Sequence, residues 1–156
     1  PMLAHALQDA GFTVKVGRIL KDDIDDIIGQ ILIALGKGYG TIITTGGVGA
    51  EDKDHSVEAA LRLDPSAAAP YIAKFEKGHG RHVKDGIRIA VAEIDGARLV
   101  TLPGPNDEVA LCLPILLDGM RKNYSKELLA ETIANALRLR LKDKCSHFHH
   151  ETQMKG

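Results

Sequence analysis

The sequence predicts a layered α/β domain whose sheet is largely parallel and carries one antiparallel element. Three observations predict it. Helix-period apolar runs alternate with short β-branched segments, the pattern that buries strands between helices. Two of the strands run directly into glycine or proline turns. A single Asp95-Gly96 pair joins two adjacent strand-like runs, as a tight hairpin turn does.

Taken in order, Leu3, Ala6, Leu7 and Ala10 recur at helical spacing and Gly11 stops the run. Phe12 to Val16 alternates and is expected to be a strand. A strong helix follows from Asp22, with Ile24, Ile27, Ile28, Ile31, Leu32 and Leu35 on one face. Asp22, Asp23, Asp25 and Asp26 stand at its start, where negative charge suits the helix dipole. Thr41 to Thr45 is a β-branched run expected to be a buried strand. Ser56 to Leu63, with Ser56 as its cap, and Pro70 to Lys77 read as helices, and Gly78 to Asp85 as a loop. Ile87 to Ile94 and Arg98 to Leu102 read as the two hairpin strands. Asn106 is placed to cap a helix reaching about Met120, and a last amphipathic helix spans Ser125 to about Leu141. The expected division is one domain over residues 1–141 and a polar, frayed C-terminal tail over 142–156.

The bulk properties narrow the class. At 156 residues the chain suits one domain with a core of its own. A net charge of −1, with both signs interspersed, lacks the basic excess of a nucleic-acid binder. The 2 cysteines, Cys112 and Cys145, form no metal-ligand or disulfide pattern, and Cys112 lies in an apolar run. No segment has the length of a membrane span or the layout of a signal peptide, so a soluble protein of the cytoplasm is expected.

Two stretches carry chemistry. The first is Thr44-Thr45-Gly46-Gly47-Val48-Gly49, followed by Glu51, Asp52 and Asp54, at the end of a strand. Ligands of parallel α/β sheets bind beyond such carboxyl ends. The glycines permit positive φ and let backbone N–H groups approach an anion. The spacing is neither that of a P-loop nor that of a dinucleotide fingerprint. Glycines alone fit a tight connection without ligand equally well; the acids beside them suggest a phosphate bridged by Mg²⁺. The second stretch is Leu102-Pro103-Gly104-Pro105-Asn106-Asp107-Glu108, a stiff turn at a helix N-terminus and a ready anion site. His147, His149 and His150 near the C-terminus lack an accompanying metal-ligand pattern and read as surface histidines.

Together, TTGGVG with its trailing Asp54 and the downstream LPGP with Glu108 resemble the molybdopterin-binding domain. That domain occurs in molybdopterin adenylyltransferases and at the N-terminus of competence/damage-inducible protein A. The resemblance covers about Leu3 to Met120, and Pro105 and Glu108 are closer to the competence/damage branch. It implies a three-layer α/β/α sandwich with a mostly parallel sheet plus a β-hairpin. It also implies a strand ahead of the first helix, which this sequence, starting at Pro1, does not contain.

By the same resemblance Asp54 is the catalytic and metal-binding aspartate. Asp22 is a second acid of the site, Asp23 being the alternative register. Thr45, Gly46, Gly47, Gly49 and Ser56 form one wall of the pocket, and Pro103, Gly104, Pro105 and Glu108 the other. The implied ligand is molybdopterin, with Mg²⁺ and ATP in the adenylyl-transfer version, in which the pterin phosphate attacks the α-phosphorus of ATP. Cleavage of a nucleoside diphosphate such as ADP-ribose, and ligand binding without catalysis in an oligomer, are the alternatives. A homo-oligomer, a trimer by resemblance, is expected. The basic stretch Lys77 to Lys84 replaces a glycine segment of the family and reads either as a solvated loop or as a phosphate contact.

Overall fold

The computed structural model describes residues 2–48, 55–74 and 85–155, with side chains described as far as Lys144. A three-stranded sheet separates two groups of helices. Its strands are β1 (Thr41–Thr45), β4 (Ala90–Ile94) and β5 (Ala97–Leu102), in the order β1-β5-β4. β1 runs parallel to β5, with Thr41 opposite Arg98 and Thr45 opposite Leu102; β4 runs antiparallel to β5.

Alternation of side chains along these strands sorts the core into two halves. Leu99, Ala90 and Ala92 face α2 (Ile24–Gly36) and α3 (Ser56–Leu63), where they pack with Ile27, Ile31, Val57, Ala59 and Ala60. Val100, Leu102 and Val91 face α4 (Asn106–Lys122) and α5 (Lys126–Lys155), against Cys112, Leu116, Leu129, Ile133 and Leu137. The short α1 (Met2–Asp9) adds Leu3 to this second half. Facing alanines on α3 and β4, all with 0% exposure, let helix and strand approach closely. The result is the three-layer α/β/α arrangement with a parallel pair and a hairpin.

The hairpin turn forms as its sequence requires. Asp95 and Gly96 have φ of 51° and 82°, the two left-handed residues of a primed turn, and Ile94 pairs with Ala97. Gly11 (φ 96°) closes α1: its amide donates to Gln8 O and that of Phe12 to Leu7 O, leaving few helix-end carbonyls unpaired.

Several expectations are corrected. Phe12 to Val16 is not a strand, since alternation alone supplies no partner to pair with, and Val16 is 72% exposed. Pro70 to Lys77 is not a helix as far as it is described; Tyr71–Lys74 is β2, paired antiparallel with β3 (Gly86–Arg88) in a second, two-stranded sheet. Ile87 to Ile94 is therefore not one strand. The chain leaves β3, passes the fully buried Ile89 and enters the main sheet, where the Ala90 amide donates to Thr101 Oγ1 at 2.8 Å. The second helix is capped by Asp23, whose carboxylate accepts from the Asp25 amide, and Asp22 precedes it. Pro105, not Asn106, occupies the cap position of α4. Helix α5 does not stop near Leu141 but continues to Lys155.

The N-terminal end of α5 is fixed by a polar cluster around the buried Asp64. The Asp64 carboxylate accepts from Lys126 Nζ at 3.0 Å, from the Glu93 amide at 3.0 Å and from both the amide and hydroxyl of Ser66. Burial works against its ionisation, but the Glu93 amide, Lys126 and Ser66 together outweigh that and hold the carboxyl down at about 2. One side chain thus ties the end of α3, an edge strand and α5 together.

Candidate functional site

Because β1 and β5 are parallel neighbours in register, their carboxyl ends bring two turns side by side. Thr45 lies opposite Leu102, and directly beyond them come Gly46-Gly47 and Pro103-Gly104. The Gly46 amide donates to Leu102 O at 2.9 Å, continuing the ladder by one bond. That amide is therefore committed to the sheet and cannot serve an anion. Gly46 and Gly47 have φ of 87° and 70°, which L-residues adopt at a cost.

Ser56 braces this turn rather than capping its helix. Its hydroxyl donates to Gly46 O at 2.9 Å and its amide donates to Gly47 O at 3.0 Å. A Cβ on Gly47 would lie 2.4 Å from Ser56 Oγ, so the turn admits only glycine there. The two turns also touch. A Cβ on Gly104 would meet the Gly46 Cα at 3.5 Å, an ordinary contact.

A cleft of about 250 Å³ opens between the turns and the C-terminal helix. Gly46, Gly47 and Val48 form one side, and Pro103, Gly104, Pro105 and Glu108 a second. Ile72 and Ile87 of the small sheet give it an apolar back, and Leu137, Arg140, Leu141 and Lys144 of α5 close it. The expected residues Gly46, Gly47, Pro103, Gly104, Pro105 and Glu108 thus come together, with Ser56 behind the turn. The exposed Thr45 and Asp22 do not line the cleft. Gly49 and Asp54 lie outside the described residues, as does the basic stretch Lys77 to Lys84. The side chains of His147, His149 and His150 also lie outside them.

The wall supplied by α5 had no counterpart among the sequence motifs. The sequence pattern ends the amphipathic helix near Leu141 and leaves Lys144 in the polar tail. The signal lies in position, because Arg140, Leu141 and Lys144 continue the same inward stripe as the buried Ile133 and Leu137. Arg140 donates to Asp107 Oδ2 at 3.1 Å, and Lys144 Nζ lies 3.5 Å from the same oxygen. The Arg140 guanidinium, helped by Lys144, holds the Asp107 carboxyl below its ordinary range.

Cys112, fully buried on the inner face of α4, takes no part. Burial and the nearby Glu108 charge push its thiol up to about 12, so it is an inert apolar side chain. Among the described residues no three His, Cys, Asp or Glu side chains stand close enough to hold a metal ion on their own. Mg²⁺ asks for less, one or two carboxylates plus ligand oxygens, and Glu108 in the cleft is a donor of that kind. Among the described residues no helix is long and apolar enough to cross a membrane.

Comparison with solved structures places the fold. A molybdopterin biosynthesis Mog protein from Mycobacterium ulcerans superposes with a TM-score of 0.63 at 19% identity, covering 83% of this chain and 85% of that one. MogA gives 0.62 at 22% identity, over 85% and 87% of the two chains. CinA from Thermoplasma acidophilum, a protein described as of unknown function, gives 0.52 at 20% identity over 78% and 83%. No curated protein matches the chain. The sequence profile of the family described as "Probable molybdopterin binding domain" matches residues 1–122, which include β1, β5 and both turns. By that match the chain belongs to the molybdopterin-binding domain family.

Proposed function

We propose that the cleft binds a phosphorylated pterin, molybdopterin, or a nucleotide, and that the protein acts in molybdenum cofactor metabolism. The observation that carries this reading is the meeting of the two turns. Adjacent parallel strands end together, and the Gly46-Gly47 and Pro103-Gly104 turns open on one cleft with an apolar back and cations on its rim. A flat heterocycle suits the Ile72, Ile87 and Pro103 surfaces, and a phosphate suits the glycine turn and the start of α4.

The finer reading is Mg²⁺-dependent adenylyl transfer from ATP to the pterin phosphate. Asp54, on sequence grounds, and Glu108, which lines the cleft, are the carboxylates to hold the metal. When bound, Mg²⁺ neutralises phosphate charge. The chain's own part is positioning: the glycine turn, locked by Ser56, sets where the phosphate sits, and the Pro103 turn sets where the ring lies. A second reading, hydrolysis of a nucleoside diphosphate such as ADP-ribose, is favoured by Glu108, a carboxylate placed in the cleft to activate water. Assembly as a homo-oligomer, a trimer by family resemblance, belongs to the same proposal and is read by sedimentation velocity.

The test is direct. Protein incubated with Mg²⁺, ATP and molybdopterin is expected to bind the pterin and release pyrophosphate, and Gly47→Val is expected to abolish both. Asp54→Asn is expected to keep binding and lose turnover. Turnover of ADP-ribose instead selects the second reading, and binding without any product selects a carrier. A wild-type protein that binds neither pterin nor nucleotide overturns the proposal.

A further inference from the structure

Helix α5 lies beyond the segment matched by the family profile, yet it supplies a whole wall of the cleft. Its inward stripe is apolar from Leu129 to Leu137, each member buried, and turns cationic at Arg140 and Lys144, where the helix passes the cleft. Lys144 is seven residues, nearly two turns, beyond Leu137 and so points the same way. A helix that merely continued its packing would keep apolar residues there. This one places a guanidinium and an ammonium beside Leu137 and Leu141.

The two cations converge on a single oxygen, Asp107 Oδ2, at 3.1 Å and 3.5 Å. Two positive charges on one carboxylate leave one in excess, in an arrangement made for an anion with more oxygens and more charge. The guanidinium fork matches a phosphate better than it matches one carboxylate oxygen. The side chains are about half exposed, 46% for Arg140, 54% for Lys144 and 47% for Asp107, so this ion pair is weak and replaceable. Glu108 adds a negative charge to the same cleft, so the excess of one is local to the cluster of Arg140, Lys144 and Asp107 and not a property of the whole cleft.

We propose that Arg140 and Lys144 are a phosphate-binding pair, and that Asp107 occupies the position an oxyanion of the ligand takes when it binds. The inference rests on the reading that the cleft accepts a phosphorylated ligand, and it names the side chains that select for the phosphate. Asp107 is then a competitor built into the site. It keeps the two cations oriented and gives way to a more highly charged anion.

Opposite signs distinguish this from a structural ion pair. Titration of the full chain with ATP, with adenosine as the uncharged control, is expected to show at least a tenfold loss of ATP affinity in Arg140→Gln/Lys144→Gln. Adenosine binding is expected to fall far less than ATP binding in that variant, so the ATP-to-adenosine affinity ratio drops. Asp107→Asn is expected to raise ATP affinity severalfold, because it removes the competitor and keeps the shape. The double variant is also expected to flatten the dependence of ATP affinity on salt. Thermal melts matching wild type check that both variants fold. If Asp107→Asn weakens ATP binding as the double variant does, the pair is a brace and the proposal is overturned. If Gly47→Val abolishes ATP binding while the charge variants match wild type, the proposal fails and the cleft reading stands. A wild-type chain that binds neither ATP, pyrophosphate nor molybdopterin overturns both.

Discussion

The two ends of helix α5's inward stripe carry the same chemistry in opposite surroundings. At one end Lys126 meets Asp64, with side chains 14% and 9% exposed. At the other, Arg140 and Lys144 meet Asp107, all about half exposed. The first carboxylate has its further lone pairs satisfied by the Glu93 amide and Ser66, so its loss costs several hydrogen bonds at once and leaves the half-buried Lys126 with only the Ser66 hydroxyl. The second is bathed in water and can be exchanged. Burial, not residue type, decides which ion pair clamps the fold and which is free to serve a ligand.

The largest expected break falls at the buried end. Asp64→Ala should cost about 3 kcal/mol in urea denaturation, since it leaves Lys126 with only the Ser66 hydroxyl and takes the acceptor from the Glu93 and Ser66 amides. Replacing both partners with apolar residues of similar size is expected to recover much of that loss, which separates the value of the pair from the penalty of breaking it. Loss of Asp64 at no cost would erase the contrast between the two ends.

Acid sharpens the same contrast. The Asp64 carboxyl titrates at about 2 in the fold against its ordinary 3.8. A depressed carboxylate stabilises the fold above its unfolded value, and that stability disappears as pH falls through the folded one. Wild type should therefore lose about 2 kcal/mol between pH 4 and pH 2 that Asp64→Asn does not lose. A parallel decline of the two proteins would show that Asp64 is not the group responsible. The smallest effect belongs to the exposed end: Asp107→Asn should change the unfolding free energy by no more than ~0.5 kcal/mol at moderate salt.

Much of this was legible in the sequence, for reasons that can be named. The Asp95-Gly96 turn, the strand at Thr41 to Thr45 and the helix α2 each rest on local chemistry. Yet β1 is an edge strand among the described residues with no fully buried residue, not the buried strand expected, and Leu32 of the expected α2 face is half exposed. The glycine and proline turns were legible because special backbone angles and strand ends leave a mark in residue type. What failed depended on partners. Phe12 to Val16 alternates like a strand but pairs with no strand among the described residues, and Tyr71–Lys74 is a strand because β3 lies beside it. Ser56 looked like a cap, yet its hydroxyl reaches the carbonyl of Gly46 instead. The α5 wall was invisible for the same reason, since a cation over a cleft and a cation in water are spelled identically.

The pairing of β1 with β5 also has a kinetic side. The β4–β5 hairpin closes across two turn residues, whereas β1 must find β5 across helix α3 and the small sheet. Such a long-range parallel contact gives up its chain entropy before it gains any packing, and is slow to form. The hairpin and the α4–α5 pair can assemble early, but the Gly46 and Pro103 turns meet only when β1 docks. The cleft is therefore completed in the last stages of folding, and a ligand that grips both turns would slow unfolding more than it hastens refolding.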